Sequence, residues 1–156
     1  MTPDFEFAPY APRWLDELVP MWRASFEAAM GLVDPHPLAA QRQYFIDNVL
    51  PQHEVQLVLG RRDARLLGFV AASSESVAQL FVRVGEHRRG IGRAMLDSAK
   101  ARSNGHLWLY TFVRNTGACA FYEREGFVEV ARGFEPFWQL EDVRYEWSRP
   151  DLTRRT

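Results

Sequence analysis

The sequence contains very little cysteine, and this scarcity excludes two classes of structure. Cys119 is the single cysteine among 156 residues, so the chain can form neither an internal disulfide framework nor a metal site built from several thiolates. We therefore expect no bound metal, and we expect Cys119 to pack as a small apolar side chain.

Long apolar runs and an excess of one charge are also missing. No run approaches the roughly 20 apolar residues that a membrane-spanning helix needs, and the acidic start of the chain lacks the basic segment of a signal peptide. The net charge is −1, from 19 basic and 20 acidic residues, which is not the balance of a nucleic-acid-binding protein. We expect a cytoplasmic protein with neither a membrane nor a nucleic acid as partner.

Apolar residues are plentiful. They make up 47% of the chain, which is enough for a proper core at this length, whereas the length is short for two domains. We expect one domain over residues 1–150 and a disordered polar tail over residues 151–156.

Hydrophobic periodicity predicts a mixture of helices and strands. The strands before and after the third predicted helix should lie parallel in one sheet, because a crossover connection returns the chain in the same direction. Helices are predicted over residues 13–30, 38–49, 91–103 and 116–125, strands over residues 5–7, 55–60, 66–72, 77–82, 106–113, 127–131 and 143–147, and a loop over residues 133–142.

The segment from Leu80 to Arg93, LFVRVGEHRRGIGR, has the pattern of an apolar strand, a basic turn with two glycines and the start of a helix. The first N–H groups of a helix have no partner within it, and the helix dipole adds partial positive charge, so a phosphate can accept several hydrogen bonds there. Gly90 and Gly92 allow the backbone to approach an anion closely. The arginines that add positive charge are Arg88, Arg89 and Arg93.

Spacing excludes two common phosphate-binding motifs for this turn. A dinucleotide fingerprint needs a third small residue three positions after Gly92, where this chain has Met95. A P-loop beginning at Gly85 would need Lys and then Ser or Thr after Gly90, where Ile91 and a glycine stand instead. The turn therefore indicates neither a dinucleotide site nor a nucleoside triphosphatase.

The turn fits a third pattern, a Gln/Arg-x-x-Gly-x-Gly/Ala sequence after an apolar strand that ends in valine. With Val82, Gly90, Ile91 and Gly92 at the matching positions, it resembles the acyl-CoA site of the GNAT N-acetyltransferase superfamily. His87 stands where the superfamily usually has Gln or Arg, and a histidine can still donate a hydrogen bond.

A second motif follows in the order that the resemblance requires. NTGACAFYEREGF, from Asn115 to Phe127, is similar to the later superfamily segment with an Asn after a strand, an Ala within a helix and a Tyr before a Gly-Phe pair. The resemblance covers residues 66–131. It implies an α/β fold with a central twisted mixed sheet of about six to seven strands, flanked by about four helices, in which two parallel strands splay apart at the cofactor cleft.

The resemblance also implies roles for individual residues, with acetyl-CoA as the acyl donor. The pantetheine arm pairs with the peptide groups of Leu80, Phe81 and Val82, and Asn115 contacts the same arm. Tyr122 is the general acid that protonates the departing thiolate. The pyrophosphate is held by the turn residues His87, Arg88, Arg89, Gly90, Ile91, Gly92 and Arg93.

The base that deprotonates the amine is less well determined. Relatives that acetylate protein N-termini carry a Glu five residues before the Asn, and Tyr110 stands there in this chain. A phenol is a poor base near neutral pH, so N-terminal acetylation is disfavoured. Glu27, beside the loop of the predicted helix pair, is a base candidate, and the alternatives are His36, His53 and Glu75.

The leading hypothesis is an acetyl-CoA-dependent N-acetyltransferase that moves an acetyl group to a primary amine of a small molecule or peptide by direct attack. The alternative is a non-catalytic acyl-CoA-binding sensor or assembly module. Tyr122 and Asn115 favour the enzyme, and the missing carboxylate at Tyr110 favours the module. The identity of the acceptor stays open, as does homodimer formation through the last strands.

Overall fold

The structure, a computed structural model, describes residues 2–150, so the tail expected over residues 151–156 lies outside the described residues. Within them the chain forms seven strands and four α-helices. The strands are β1 (Phe5–Pro9), β2 (Glu54–Gly60), β3 (Leu66–Ala72), β4 (Val77–Val82), β5 (His106–Phe112), β6 (Val128–Glu135) and β7 (Leu140–Ser148). The helices are α1 (Leu15–Met30), α2 (Leu38–Tyr44), α3 (Ile91–Arg102) and α4 (Thr116–Arg124).

The strands form two antiparallel sheets, in the orders β1-β2-β3-β4 and β5-β7-β6. The sheets join where β4 and β5 begin: Ser76 and Trp108 form a parallel bridge, and Trp108 donates its N–H to the Glu75 carbonyl at 3.0 Å. Beyond this point no backbone hydrogen bond joins the two strands within residues 2–150. β4 and β5 are therefore parallel neighbours that splay apart toward their carboxyl ends, as predicted, and we call the space between those ends the gap.

The helices cover the strands from both sides because each carries an apolar face. α1 and α2 pack on one side, in a core that includes Phe45 and Phe69. α3 and α4 pack on the other side, in a core that includes Met95 and Leu96. None of the helices in this part of the chain is both long and apolar enough to cross a membrane.

Gly68 fixes how closely β4 and α3 approach β3. A Cβ at this position would lie 2.7 Å from the backbone oxygen of Phe81 and 3.2 Å from Cε of Met95. The absence of a side chain thus lets the end of β4 and the body of α3 pack on the middle of β3 at the same point.

The loop predicted over residues 133–142 is wrong, because most of it belongs to a β-hairpin. β6 extends to Glu135 and β7 begins at Leu140, so the turn covers only residues 136–139. Phe134 and Glu141 are cross-strand partners. β6 is an edge strand that is exposed along almost its whole length. Arg132 and Gly133 interrupt the apolar alternation that begins at Val128, so the pattern does not extend the strand to Glu135.

The second predicted helix also differs in detail. α2 ends at Tyr44, and one π-helical turn over Phe45–Val49 completes the segment. Phe45 and Val49 are buried, so this turn keeps both apolar residues in the core. Helix periodicity does not distinguish such a turn from a continuing α-helix.

Candidate active site

The carboxyl end of β4 presents peptide groups to the gap. Pairs along an antiparallel ladder alternate between hydrogen-bonded and non-hydrogen-bonded. Arg83 donates its N–H to the Leu67 carbonyl on β3 at 2.7 Å, so Phe81, two residues earlier, also directs its peptide groups toward β3. The peptide groups of Leu80 and Val82 consequently face the gap, where an extended ligand can pair with them.

The start of α3 lies directly beside this strand end. Gly90 is the N-cap residue with φ of +80°, and a Cβ there would meet no atom within 4 Å, so conformation rather than space requires glycine. At Gly92 a Cβ would lie 3.6 Å from the Phe121 ring and 3.8 Å from Val82. No side chain caps this helix end. Its first N–H groups therefore have no intrahelical partner and can bind an anion.

The three arginines of the turn differ in what they already bind. The Arg89 guanidinium lies 2.5 Å from the Glu86 carboxylate and 2.7 Å from the Asp4 carboxylate. The Arg93 guanidinium lies 3.4 Å from the carboxylate of Glu125, the residue after α4. Arg88 is exposed, has φ of +69°, and makes no hydrogen bond or ion pair with any residue in the 2–150 range. Arg88 is thus the cation of the turn that is available to a ligand.

Asn115 forms the start of α4. Its Oδ1 accepts a hydrogen bond from the N–H of Ala118 at 3.1 Å, as a helix cap does. The side-chain amide nitrogen keeps its two donors for a ligand, so a capping role and a ligand contact are compatible. Gly126, with φ of +93°, follows the helix in the left-handed conformation, as the sequence predicts.

Tyr122 projects from α4 into the apolar core beneath the gap. The residue is buried, and its ring packs on Phe127 at 5.6 Å and on Tyr145 at 6.2 Å. The Tyr122 hydroxyl makes no hydrogen bond with any residue in the 2–150 range. Its oxygen is not completely enclosed by the protein, so it keeps contact with solvent. Burial raises the pKa of Tyr122 above its usual value, and the phenol therefore stays protonated.

Tyr110 does not reproduce a carboxylate, and its surroundings are cationic. Arg144, its cross-strand partner on β7, donates to the Tyr110 hydroxyl at 3.4 Å and lies over the Trp108 ring at 4.7 Å. The hydrogen bond to Tyr110 raises the pKa of Arg144 above its usual value. The Arg144 guanidinium thus lies beside Tyr110, the position at which relatives that acetylate protein N-termini carry a glutamate.

The base candidates lie at opposite ends of the gap. Glu27 and His36 belong to the end of α1 and the loop after it, where Glu27 accepts the Asp34 N–H at 2.7 Å and His36 lies 2.6 Å from Asp34. His53 and Glu75 lie beside the starts of β2 and β4, at the closed end of the gap. Only the first pair lies on the side of the sheet that α1 covers near Val82.

Aromatic side chains of the β6–β7 turn close over the loop after α1. Phe137 stacks on His36 with ring centroids 4.3 Å apart, and Trp138 packs on Phe26 at 5.0 Å. Phe26 in turn contacts Phe112, at the end of β5, at 6.3 Å. The apolar wall beside the open end of the gap is therefore built from three distant segments of the chain.

Two residues of the site escape sequence reasoning. Ser25 donates its hydroxyl to the Val82 carbonyl at 2.8 Å, and Arg114 donates to the Met30 carbonyl at 2.6 Å. The only sequence sign of Ser25 is a polar residue on the apolar face of α1, between Trp22 and Phe26. The sign is weak because serine is also common on solvent-exposed helix faces.

The residues around the gap fit the parts of a CoA thioester. The uncapped start of α3 and the unpaired Arg88 suit a pyrophosphate. The free edge of β4 suits a chain of amide groups, and the Asn115 amide can donate to the same chain. Tyr122 lies in the apolar core that also contains Val82 and Ile91.

Comparisons with known proteins agree with this geometry. The sequence profile described as "Acetyltransferase (GNAT) family" matches residues 12–127. Peptidyl-lysine N-acetyltransferase YiaC of Escherichia coli strain K12 is 34% identical over 86 residues, and the match spans 54% of this chain and 58% of YiaC. The chain thus covers little more than half the length of that relative.

Solved structures share the whole fold at low sequence identity. Apo YjaB from Escherichia coli superimposes with a TM-score of 0.76 and 18% identity, over 96% of this chain and 100% of YjaB. The PaiA N-acetyltransferase from Thermoplasma acidophilum, solved in complex with coenzyme A, gives a TM-score of 0.72 and 15% identity, over 95% of this chain and 99% of PaiA.

Proposed function

Because the chain belongs to the GNAT acetyltransferase family, we propose that it transfers the acetyl group of acetyl-CoA to a primary amine. The observation that carries the proposal is that the peptide edge of β4, formed by the Leu80 peptide groups and the Val82 N–H, ends beside the uncapped glycine turn that starts α3. Tyr122 belongs to the same apolar core as Val82 and Ile91. The peptide edge, the turn and Tyr122 each suit a different part of the donor, and all three come from the two motifs.

In this proposal an amide bond forms between the attacking nitrogen and the acetyl carbon while the C–S bond breaks. The ammonium loses one proton before attack and a second, to water, from the tetrahedral adduct, and the departing sulfur gains one proton. Acetyl-CoA supplies the acetyl group and a thiolate leaving group. The Val82 N–H donates to the carbonyl oxygen as negative charge develops on it. Tyr122 gives its phenolic proton to the thiolate and regains a proton from solvent.

Glu27 is the proton acceptor of the proposal. Its Oε2 is held by the Asp34 N–H at 2.7 Å, whereas Oε1 has no partner in residues 2–150. Glu27 directly follows Phe26, whose ring packs at the end of β5. The carboxylate removes the ammonium proton through water, which leaves the neutral amine to attack the thioester.

The acceptor class in this proposal is a primary amine of a peptide or small molecule, with a lysine side chain as the first choice. The choice rests on the similarity to YiaC, a peptidyl-lysine N-acetyltransferase. Release of free thiol from acetyl-CoA should be measured with a lysine peptide, a peptide with a free N-terminus only, and a set of small amines. Binding of acetyl-CoA without turnover of any acceptor would favour the non-catalytic module.

Replacement of Arg88 by glutamine should weaken CoA binding. A charged hydrogen bond contributes about 1.5 to 3 kcal/mol, so the Kd for CoA should rise about tenfold or more, and its salt dependence should become shallower. Arg132→Gln, at an exposed arginine of β6, is the matched control and should bind like wild type. Equal CoA affinity in both variants would contradict the role of Arg88.

Replacement of Glu27 by glutamine tests the base. The glutamine side-chain oxygen can still accept the Asp34 N–H, so the loop should keep its conformation. We expect kcat/KM for the amine to fall about 10²-fold at neutral pH, with the Kd for acetyl-CoA unchanged. A full transfer rate in Glu27→Gln would assign the proton to another acceptor.

A further inference from the structure

Helix α1 lies across the open end of the gap and contacts both splayed strands. Its Trp22 packs on Phe81 of β4 with ring centroids 6.3 Å apart, and its Phe26 packs on Phe112 of β5 at the same centroid distance. One rigid element thus touches the carboxyl ends of both strands. No strand-to-strand hydrogen bond holds these ends at a fixed distance within residues 2–150.

On the β4 side, a buried polar contact reinforces the packing. The Ser25 hydroxyl donates to the Val82 carbonyl at 2.8 Å, and Ser25 is only 5% exposed. The Val82 carbonyl belongs to the residue whose N–H faces the gap. A bond to this carbonyl therefore fixes the orientation of the peptide edge that a ligand would meet.

On the β5 side, an arginine binds the carboxyl end of the same helix. Arg114 lies two residues after the end of β5. Its guanidinium donates to the Met30 carbonyl at 2.6 Å and to the Gly31 carbonyl at 3.3 Å. Gly31 ends α1 with φ of +67°. The last carbonyls of a helix have no intrahelical donor and carry the negative end of the dipole, so an arginine is a well-suited partner.

We propose that Ser25 and Arg114 are positioning residues that set the width of the gap through α1, and thereby the affinity for the acyl-CoA chain. The inference rests on the proposed function, because it takes the gap as the acyl-CoA site. α1 acts as a strut: Ser25 fixes it to β4 and Arg114 fixes it to β5. Loss of either bond weakens the contact of α1 with one strand end, and the binding-competent spacing becomes a smaller fraction of the ensemble.

Isothermal titration with CoA tests the strut without any acceptor. We expect Ser25→Ala and Arg114→Gln each to raise the Kd for CoA about tenfold, which corresponds to about 1.4 kcal/mol. Arg114→Lys keeps one donor and should raise it about threefold. In turnover assays the KM for acetyl-CoA should rise more than kcat falls.

Two matched controls lie away from the gap, Ser98 in the second half of α3 and Arg149 just after β7. Ser98→Ala removes a hydroxyl that donates to Gln56 at 2.8 Å, and Arg149→Gln removes a guanidinium that donates to the carbonyl of Lys100, near the end of α3, at 3.0 Å. Both should keep the wild-type Kd, whatever their thermal midpoints. A purely structural role of Ser25 and Arg114 would lower the thermal midpoint and leave the Kd unchanged.

The outcomes separate the strut from the proposed function. If wild-type protein binds CoA and Ser25→Ala and Arg114→Lys bind it equally well, the strut is overturned and the acetyltransferase proposal stands. If wild-type protein does not bind CoA, the proposed function itself fails. A loss of CoA affinity in Ser25→Ala and in Arg114→Gln, with the Kd unchanged in Ser98→Ala and Arg149→Gln, supports the strut.

Discussion

Replacement of Tyr122 by phenylalanine is expected to lower kcat by about 10²- to 10⁴-fold, with little change in the Kd for acetyl-CoA. The variant removes only the hydroxyl, which makes no hydrogen bond with another residue in the 2–150 range. The ring contacts with Phe127 and Tyr145 should persist, because phenylalanine has the same ring. A loss of rate without a loss of binding is the expected result for a proton donor to the leaving group.

Burial has two opposing effects on Tyr122: it keeps the proton on the phenol, and it makes the phenol a weaker acid. Burial raises the pKa of the Tyr122 phenol above its usual value, since the apolar core disfavours the phenolate. The thiolate that leaves during transfer would meet the same apolar surroundings, so proton transfer exchanges one disfavoured anion for another. The phenol should remain protonated at least to about pH 10, and kcat should not decline below that pH through Tyr122.

Two tyrosine variants serve as controls for the kinetics. Tyr44→Phe alters a tyrosine that is 51% exposed on α2, and it should retain the wild-type kcat. Tyr145→Phe removes a hydroxyl that donates to Glu123 at 2.6 Å, so it should lower the thermal midpoint more than it changes kcat. Stopped-flow or steady-state thiol release measures all three variants, and an undiminished kcat in Tyr122→Phe would falsify the general-acid assignment.

Replacement of Gly68 by alanine is expected to destabilise the fold by at least about 2 kcal/mol. The new methyl group would lie 2.7 Å from the Phe81 backbone oxygen, closer than real contacts allow. This contact is with backbone, so β3 or β4 would have to move, and the end of the Met95 side chain, 3.2 Å away, would also have to give. Since β4 carries the peptide edge of the gap, the Kd for CoA should rise as well.

Gly117→Ala is the matched control for this substitution. The nearest atom to a Cβ there is Oδ1 of Asn115 at 4.0 Å, and Gly117 lies within α4. Alanine favours a helix over glycine by about 1 kcal/mol, so this variant should be as stable as wild type or more stable. Chemical denaturation of both variants measures the difference, and equal free energies of unfolding would contradict the close packing at Gly68.

Local sequence patterns were sufficient for the two motifs and for most elements. The glycine turn could be predicted because Gly90 needs a left-handed conformation and starts a helix, both of which are local properties. Asn115 as a helix cap and Gly126 as a helix end follow from equally local chemistry. The parallel order of β4 and β5 follows from the crossover between them.

Partners from distant parts of the chain could not be predicted. The sequence gives no reason for Arg89 to bind Asp4 in addition to its near neighbour Glu86, because this depends on where the start of the chain folds back. Arg132 and Gly133 interrupt the apolar alternation of β6, so the pattern indicates the strand only as far as Ala131. The same limit applies to Ser25, whose partner Val82 is 57 residues away.

The sequence by itself determined the family and the order of the elements, because helix caps, left-handed glycines and apolar periods act over a few residues. The tertiary structure alone decided which arginine is free, which strand carbonyl is already bonded and what spans the gap. These depend on contacts between segments as far apart as Met30 and Arg114. Such contacts form when α1 packs across both sheets, and no local pattern encodes that packing.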